Sequence, residues 1–202
     1  MDIVKSEWWS TPVWETDIKY DDATYGQMVR AAQDFQKVER GYGDVWSMKF
    51  PCFNKLKKDM LDIVLKETPM YFPPSFGYEP TVGRSHISVQ TPGENLEMHD
   101  HPGSLFVIVY YIACEENSGD LILMDPRGYT NFDIQTGDGQ YDAKYKRIKP
   151  QVGKMVMFPG YITHGVETNK SSKTRLSLAT NIYAPNKRIF AGAKQANNIG
   201  RT

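Results

Sequence analysis

The 202-residue chain predicts a mostly β fold with flanking helices (α+β): a cupin-like jelly-roll, or double-stranded β-helix, with its amino-terminal helices packed on one face. Three observations carry that expectation. From Arg84 to Ile182 short apolar runs alternate with turns rich in Gly and Pro, the pattern of many short strands. Before them, two stretches space their apolar residues at helical intervals. Finally, aromatic residues make up 12% of the chain, which suits a packed, sheet-rich protein better than a disordered one. The length fits one domain over residues 1–202, divided into helical support (1–80), a β core (81–185) and a carboxy-terminal tail (186–202).

Taken in order, Thr11-Pro12-Val13-Trp14 reads as a short extended piece at a sheet edge, because Pro cannot donate to a ladder. Asp21 or Asp22 caps a helix from about Ala23 to Arg40, with Met28, Ala31, Ala32 and Phe35 on one face and Gly41 and Gly43 as its stop. A second helix runs from about Phe53 to Glu67, with Leu56, Met60, Ile63 and Val64 aligned as core. Residues 72–80 form a Pro-rich connection. Next, Ile87 and Val89 alternate with His86, Ser88 and Gln90, so one face is apolar and the other faces either solvent or a ligand-holding cavity. The apolar run 105–112, the turn at 115–119 and the run Leu121 to Met124 suggest an antiparallel hairpin. Residues 127–149 form a charged, Tyr-bearing connection, either an irregular hairpin or a lid that recognises substrate. Met155 to Phe158 and Leu176 to Ile182 complete the strands, and the tail carries Lys187, Arg188, Lys194 and Arg201 without an acid.

Bulk properties narrow the function. With 24 basic and 24 acidic residues the formal charge is zero, which provides no electrostatic attraction to nucleic acid or to a membrane surface. Cys52 and Cys114 are far apart and lack zinc-like spacing, so a reducing, cytoplasmic setting is expected. No stretch is long and apolar enough to span a bilayer, and the first ten residues lack the apolar run of a signal peptide.

The chemistry concentrates at Glu97-Met98-His99-Asp100-His101-Pro102. In an extended segment His99 and His101 point the same way and Asp100 the other, so two imidazoles on one strand face can grip one metal ion. His164, after the apolar Met155 to Phe158, is the candidate third ligand; eleven residues on comes Arg175, then Ser177 on the same strand face. An alternative stays open in which a bulge turns Asp100 inward to replace one histidine. Arg175, if inward, wants an anion: either a ligand carboxylate or an internal acid such as Asp100 or Glu97. Either Tyr110 or Tyr111 faces the same space, since neighbours on a strand face opposite ways. His86 lacks such a context and reads as structural or surface.

Five blocks between about Gly93 and Tyr183 resemble the iron(II)- and 2-oxoglutarate-dependent oxygenase superfamily, in particular a group of small oxygenases. They are His99-Asp100-His101-Pro102, Val109-Tyr110-Tyr111-Ile112, Ser118-Gly119-Asp120-Leu121 with Asp125-Pro126, Phe158-Pro159 to His164, and Arg175-Leu176-Ser177. The resemblance implies Fe(II) on His99, His101 and His164, with 2-oxoglutarate held at its far carboxylate by Arg175 and Ser177 and aided by Tyr110. Dioxygen is the third reactant, and decarboxylation to succinate would be coupled to oxidation of a C–H bond, typically hydroxylation. The sequence departs from the wider superfamily in two places. His101 stands where Asp or Glu is commonest, and Val107 and Ile108 replace a small polar pair.

The expected substrate is a small molecule or a protein side chain; nucleic acid is not expected, since no second Arg follows Arg175 in its strand. Two rival classes share the motif: a cupin-type three-histidine metal enzyme that does not use 2-oxoglutarate, and a non-catalytic jelly-roll binding module.

Overall fold

The computed structural model describes residues 11–39, 44–72, 78–127 and 145–185. Among these are nine strands and two α-helices: β1 (Trp14–Asp17), α1 (Asp22–Glu39), α2 (Pro51–Glu67), β2 (Thr81–Gln90), β3 (Leu96–His99), β4 (Phe106–Ala113), β5 (Leu121–Met124), β6 (Tyr145–Ile148), β7 (Lys154–Pro159), β8 (His164–Val166) and β9 (Arg175–Tyr183). The strands form two sheets, a larger one in the order β1-β7-β4-β9-β2 and a smaller one in the order β3-β8-β5-β6. All the pairings are antiparallel. The expected jelly-roll with helices on one side is thus the fold.

Both helices form where the apolar spacing places them. Asp21 accepts the Thr24 amide proton at 2.7 Å and caps α1, satisfying one of the amides that a helix start leaves free. Pro51 occupies the first turn of α2, where its missing N–H costs nothing. Met28, Ala32 and Phe35 of α1 and Leu56, Met60 and Val64 of α2 are buried against Ile87, Ile108, Tyr110, Met157 and Leu178 of the larger sheet. Each large side chain removed from water there contributes about 1.5–3 kcal/mol. This face is the scaffold.

A second apolar cluster lies between the sheets: Val107, Val109 and Tyr111 of β4, Val156 and Phe158 of β7, Leu121 and Leu123 of β5, and Ile148 and Ile162. β4 is therefore buried on both faces, and its near-continuous apolar run follows from that.

One sequence expectation fails. The runs at 106–113 and 121–124 do not pair as a hairpin, because β4 already has β7 on one edge and β9 on the other. The turn between them crosses from one sheet to the other, and β5 pairs with β6 and β8 instead. Gly119 makes the crossing possible. Its φ of +92° suits only glycine, and an added Cβ would strike the Glu167 carbonyl. Of the expected lid, residues 128–144 lie outside the described residues, as does the tail from residue 186; the end of the lid forms β6. Among the described residues, no helix is long and apolar enough to cross a membrane.

Candidate metal centre and anion cavity

Three strands or strand ends bring the histidines together. In the smaller sheet His99 of β3 pairs directly with His164 of β8, so their side chains share a face. His101 follows just beyond β3, where its amide donates to the Gly160 carbonyl at 3.0 Å and ties this loop to the end of β7. Ring centroids lie 4.4 Å apart for His99 and His164, 5.1 Å for His101 and His164, and 5.3 Å for His99 and His101. One ligating atom from each residue lies within 4.8 Å of the others.

The hydrogen bonds fix which nitrogen each ring offers. His99 Nδ1 lies 2.8 Å from the Glu97 carbonyl, His164 Nδ1 2.9 Å from the Ile162 carbonyl, and His101 Nδ1 2.5 Å from Asn181 Oδ1. Oxygen acceptors of this kind require the proton on Nδ1, so in the neutral ring Nε2 is the nitrogen with the free lone pair. Burial pushes the His164 pKa down to about 4, opposed by the bond to Ile162 and reinforced by the other two histidines. His101 is lowered too, first by burial, with its bond to Asn181 opposing. Both rings are therefore neutral at ordinary pH, the form a metal ion needs. Three imidazoles suit a borderline divalent transition metal, and the donor set fits Fe(II) as it would Zn(II) or Ni(II).

Asp100 is exposed, as strand alternation predicts, and lies outside this cluster. His86 also lies outside it.

Deeper between the sheets lies a positive charge. Arg175 begins β9 and is 1% exposed. Its Nη1 donates to the Gly119 carbonyl at 2.8 Å and the Ser118 carbonyl at 3.3 Å, while Nε has no partner. No carboxylate pairs with it among the described residues, so neither Glu97 nor Asp100 takes the internal role. Burial lowers its pKa, countered by Tyr111 and Cys114.

Register shows what shares that face. Ser177 of β9 lies opposite Ser88 of β2 on one side and Tyr111 of β4 on the other, and Gln90 lies opposite Arg175. Ser177 is 4% exposed and shares the face of β9 that carries Arg175. The choice between the tyrosines resolves against Tyr110. Its hydroxyl donates to the Ile18 carbonyl at 2.8 Å on the helix side, in the scaffold core, so it points away from Arg175 and Ser177. Tyr111 lies instead in the apolar cluster between the sheets, opposite Ser177.

Asn181 was not singled out from the sequence. The signal was available, since Arg175, Ser177, Ala179 and Asn181 continue one period-two face along β9. Taken together, the smaller sheet brings His99 and His164 to His101 in a group that could hold a metal ion, and the larger sheet sets the buried Arg175 on the same face of β9 as Asn181, the hydrogen-bond partner of His101.

Residues 84–181 match a family model described as "Putative 2OG-Fe(II) oxygenase". By structure the chain is similar to the viral collagen prolyl hydroxylase vCPH of Paramecium bursaria Chlorella virus-1, with TM-score 0.60, 13% identity, and 92% of this chain and 100% of that one covered. It is also similar to the non-heme alpha ketoglutarate dependent carbocyclase SnoK from nogalamycin biosynthesis, with TM-score 0.62, 14% identity and coverages of 85% and 79%. A third is HygX from Streptomyces hygroscopicus, solved with nickel and 2-oxoglutarate bound, with TM-score 0.59, 12% identity and coverages of 86% and 83%. No relative among curated proteins matches by sequence.

Proposed function

Since the chain belongs, through its β core, to the 2OG-Fe(II) oxygenase superfamily, we propose that it is a dioxygenase of the hydroxylase kind, coupling decarboxylation of 2-oxoglutarate to oxidation of a small molecule or a protein side chain. The observation that carries this reading is a buried guanidinium without a carboxylate partner, on the same face of β9 as Asn181, whose side chain bonds one of three clustered imidazoles. A cupin-type three-histidine enzyme that ignores 2-oxoglutarate needs the imidazoles but has no use for Arg175. A buried unpaired charge costs several kcal/mol, and an anionic ligand is what offsets it.

In this reading His99, His101 and His164 hold Fe(II), and Glu97, Asn181 and Ile162 fix their orientation by accepting the Nδ1 protons. Iron and 2-oxoglutarate together supply the oxidising chemistry; the chain supplies orientation and a dry space. Arg175 binds the far carboxylate with a forked pair of charge-assisted hydrogen bonds, which a Lys could not match in geometry. Ser177 adds a hydroxyl donor on the same face, with Tyr111 in place of Tyr110. Val107, Val109 and Phe158 exclude water from the interior between the two ends.

The test is succinate release by purified protein given Fe(II), 2-oxoglutarate and candidate substrates under air. Succinate above background is expected from the wild type, with release abolished in His164→Ala. Unchanged release in that variant refutes the assignment. Succinate-independent turnover of a substrate would favour the cupin-type alternative.

A further inference from the structure

Gln90 is 5% exposed, and neither its Oε1 nor its Nε2 has a hydrogen-bond partner. A buried carboxamide left unpaired costs about 1–3 kcal/mol, so its persistence at the end of β2 calls for a ligand. The backbone beneath it is firmly held: Asn169 Nδ2 donates to the Gln90 carbonyl at 2.9 Å and to the Lys173 carbonyl at 2.8 Å, and the Asn169 carbonyl accepts from Gly93. The side chain is thus placed by a fixed strand end. Directly across the ladder stands Arg175, whose Nη1 is engaged by the 118–119 carbonyls and whose Nε is free. Paired residues on adjacent antiparallel strands share a face with Cβ atoms about 5 Å apart, within the reach of both side chains.

We propose that Gln90 is a specificity-determining residue for the co-substrate: with Arg175 it reads the far carboxylate of the dicarboxylic keto acid and sets the preference over keto acids that lack one. The inference rests on the co-substrate reading above. The chemistry of the pair supports it. Gln90 Oε1 can accept from Arg175 Nε–H, which turns Nε2 outward as a donor to the second carboxylate oxygen. A glutamate here would instead pair with Arg175 and fill the anion site internally. An apolar residue would leave one ligand oxygen without a donor. Only a neutral donor leaves the guanidinium's charge for the ligand while helping to bind it.

Gln90→Glu and the near-isosteric Gln90→Leu separate this role from a structural one. The probes are 2-oxoglutarate and 2-oxopentanoate, which has the same five-carbon keto acid frame without the far carboxylate. Binding to the Mn(II)-loaded protein is read by tryptophan fluorescence or calorimetry, so no turnover is needed. Gln90→Glu should weaken 2-oxoglutarate by about tenfold or more and leave 2-oxopentanoate unchanged; Gln90→Leu should show the same selectivity with a smaller loss. Wild-type protein that binds 2-oxoglutarate alongside a Gln90→Glu or Gln90→Leu variant that binds it equally well overturns this inference alone, as does equal loss of both acids. Wild-type protein that binds neither overturns the co-substrate reading and this inference with it.

Discussion

His164 offers a quantitative test of how the centre is built, because its 4% exposure and its depressed pKa make folding of the metal-free chain depend on pH. Burial holds the folded-state pKa at about 4, whereas an unfolded histidine titrates near about 6.5. Between those values the unfolded chain binds the proton and the folded chain does not. Stability therefore falls as pH falls through this window, and the loss is complete below the folded pKa. At about pH 5 the unfolded form is almost fully protonated and the folded form only slightly, so the linkage amounts to about 2 kcal/mol. Urea unfolding of chelator-treated wild type and His164→Asn at about pH 7.5 and about pH 5 isolates it, because other titrating groups are common to both proteins. The wild type should lose about 2 kcal/mol more than the variant over that interval. Parallel losses would refute a buried neutral imidazole at this position.

Three further outcomes follow from other parts of the cavity. Asn181→Leu removes the acceptor that orients His101, and metal affinity measured by competition with a chromophoric chelator should fall about 10- to 100-fold while the fold is retained. Arg175→Met should weaken 2-oxoglutarate by about 100-fold or more in a calorimetric titration, yet leave the urea midpoint unchanged or higher, since the charge it removes has no carboxylate partner. Gly119→Ala should lower stability by about 2–4 kcal/mol in thermal unfolding and weaken co-substrate binding, because its Cβ would strike the Glu167 carbonyl and force a shift of the Gly119 backbone, whose own carbonyl accepts from Arg175.

Much of the candidate site was legible because strand alternation is a strict rule. Spacing grouped His99 with His101 and left Asp100 outside the cluster, although the strand itself ends at His99, and Ser177 followed Arg175 by alternation along β9. Helix limits were legible to within two residues, since Asp21, Pro51 and the apolar stripes act locally. What failed needed information from across the chain. The direction of Tyr110 depends on which face of β4 meets α1, and β4 is apolar on both. The pairing of β5 depends on competition for strand edges, which no local turn signal reports. Asn181 was missed because the apolar run around it reads as core until Arg175 fixes the parity of the strand. Gln90 was a near case: its polar face was visible, but whether that face met solvent or a cavity required its partner strand.

The two ends of the cavity should answer to different ligands, and this separation can be measured as linked stability. Arg175 and Gln90 are buried with donor groups unmatched, so an anion that seats there relieves desolvation already incurred on folding. The histidines are each hydrogen-bonded within the chain through Nδ1, so a metal ion adds stability without needing that relief. A ligand that binds only the folded state stabilises it by about 2.7 kcal/mol at 100 times its Kd. In thermal unfolding, Arg175→Met should therefore keep the increment from Mn(II) alone and lose the additional increment from 2-oxoglutarate. His164→Asn should lose the metal increment. If Arg175→Met abolishes the Mn(II) increment as well, the guanidinium is holding the histidine cluster in place and the division of the face into a metal end and an anion end is wrong.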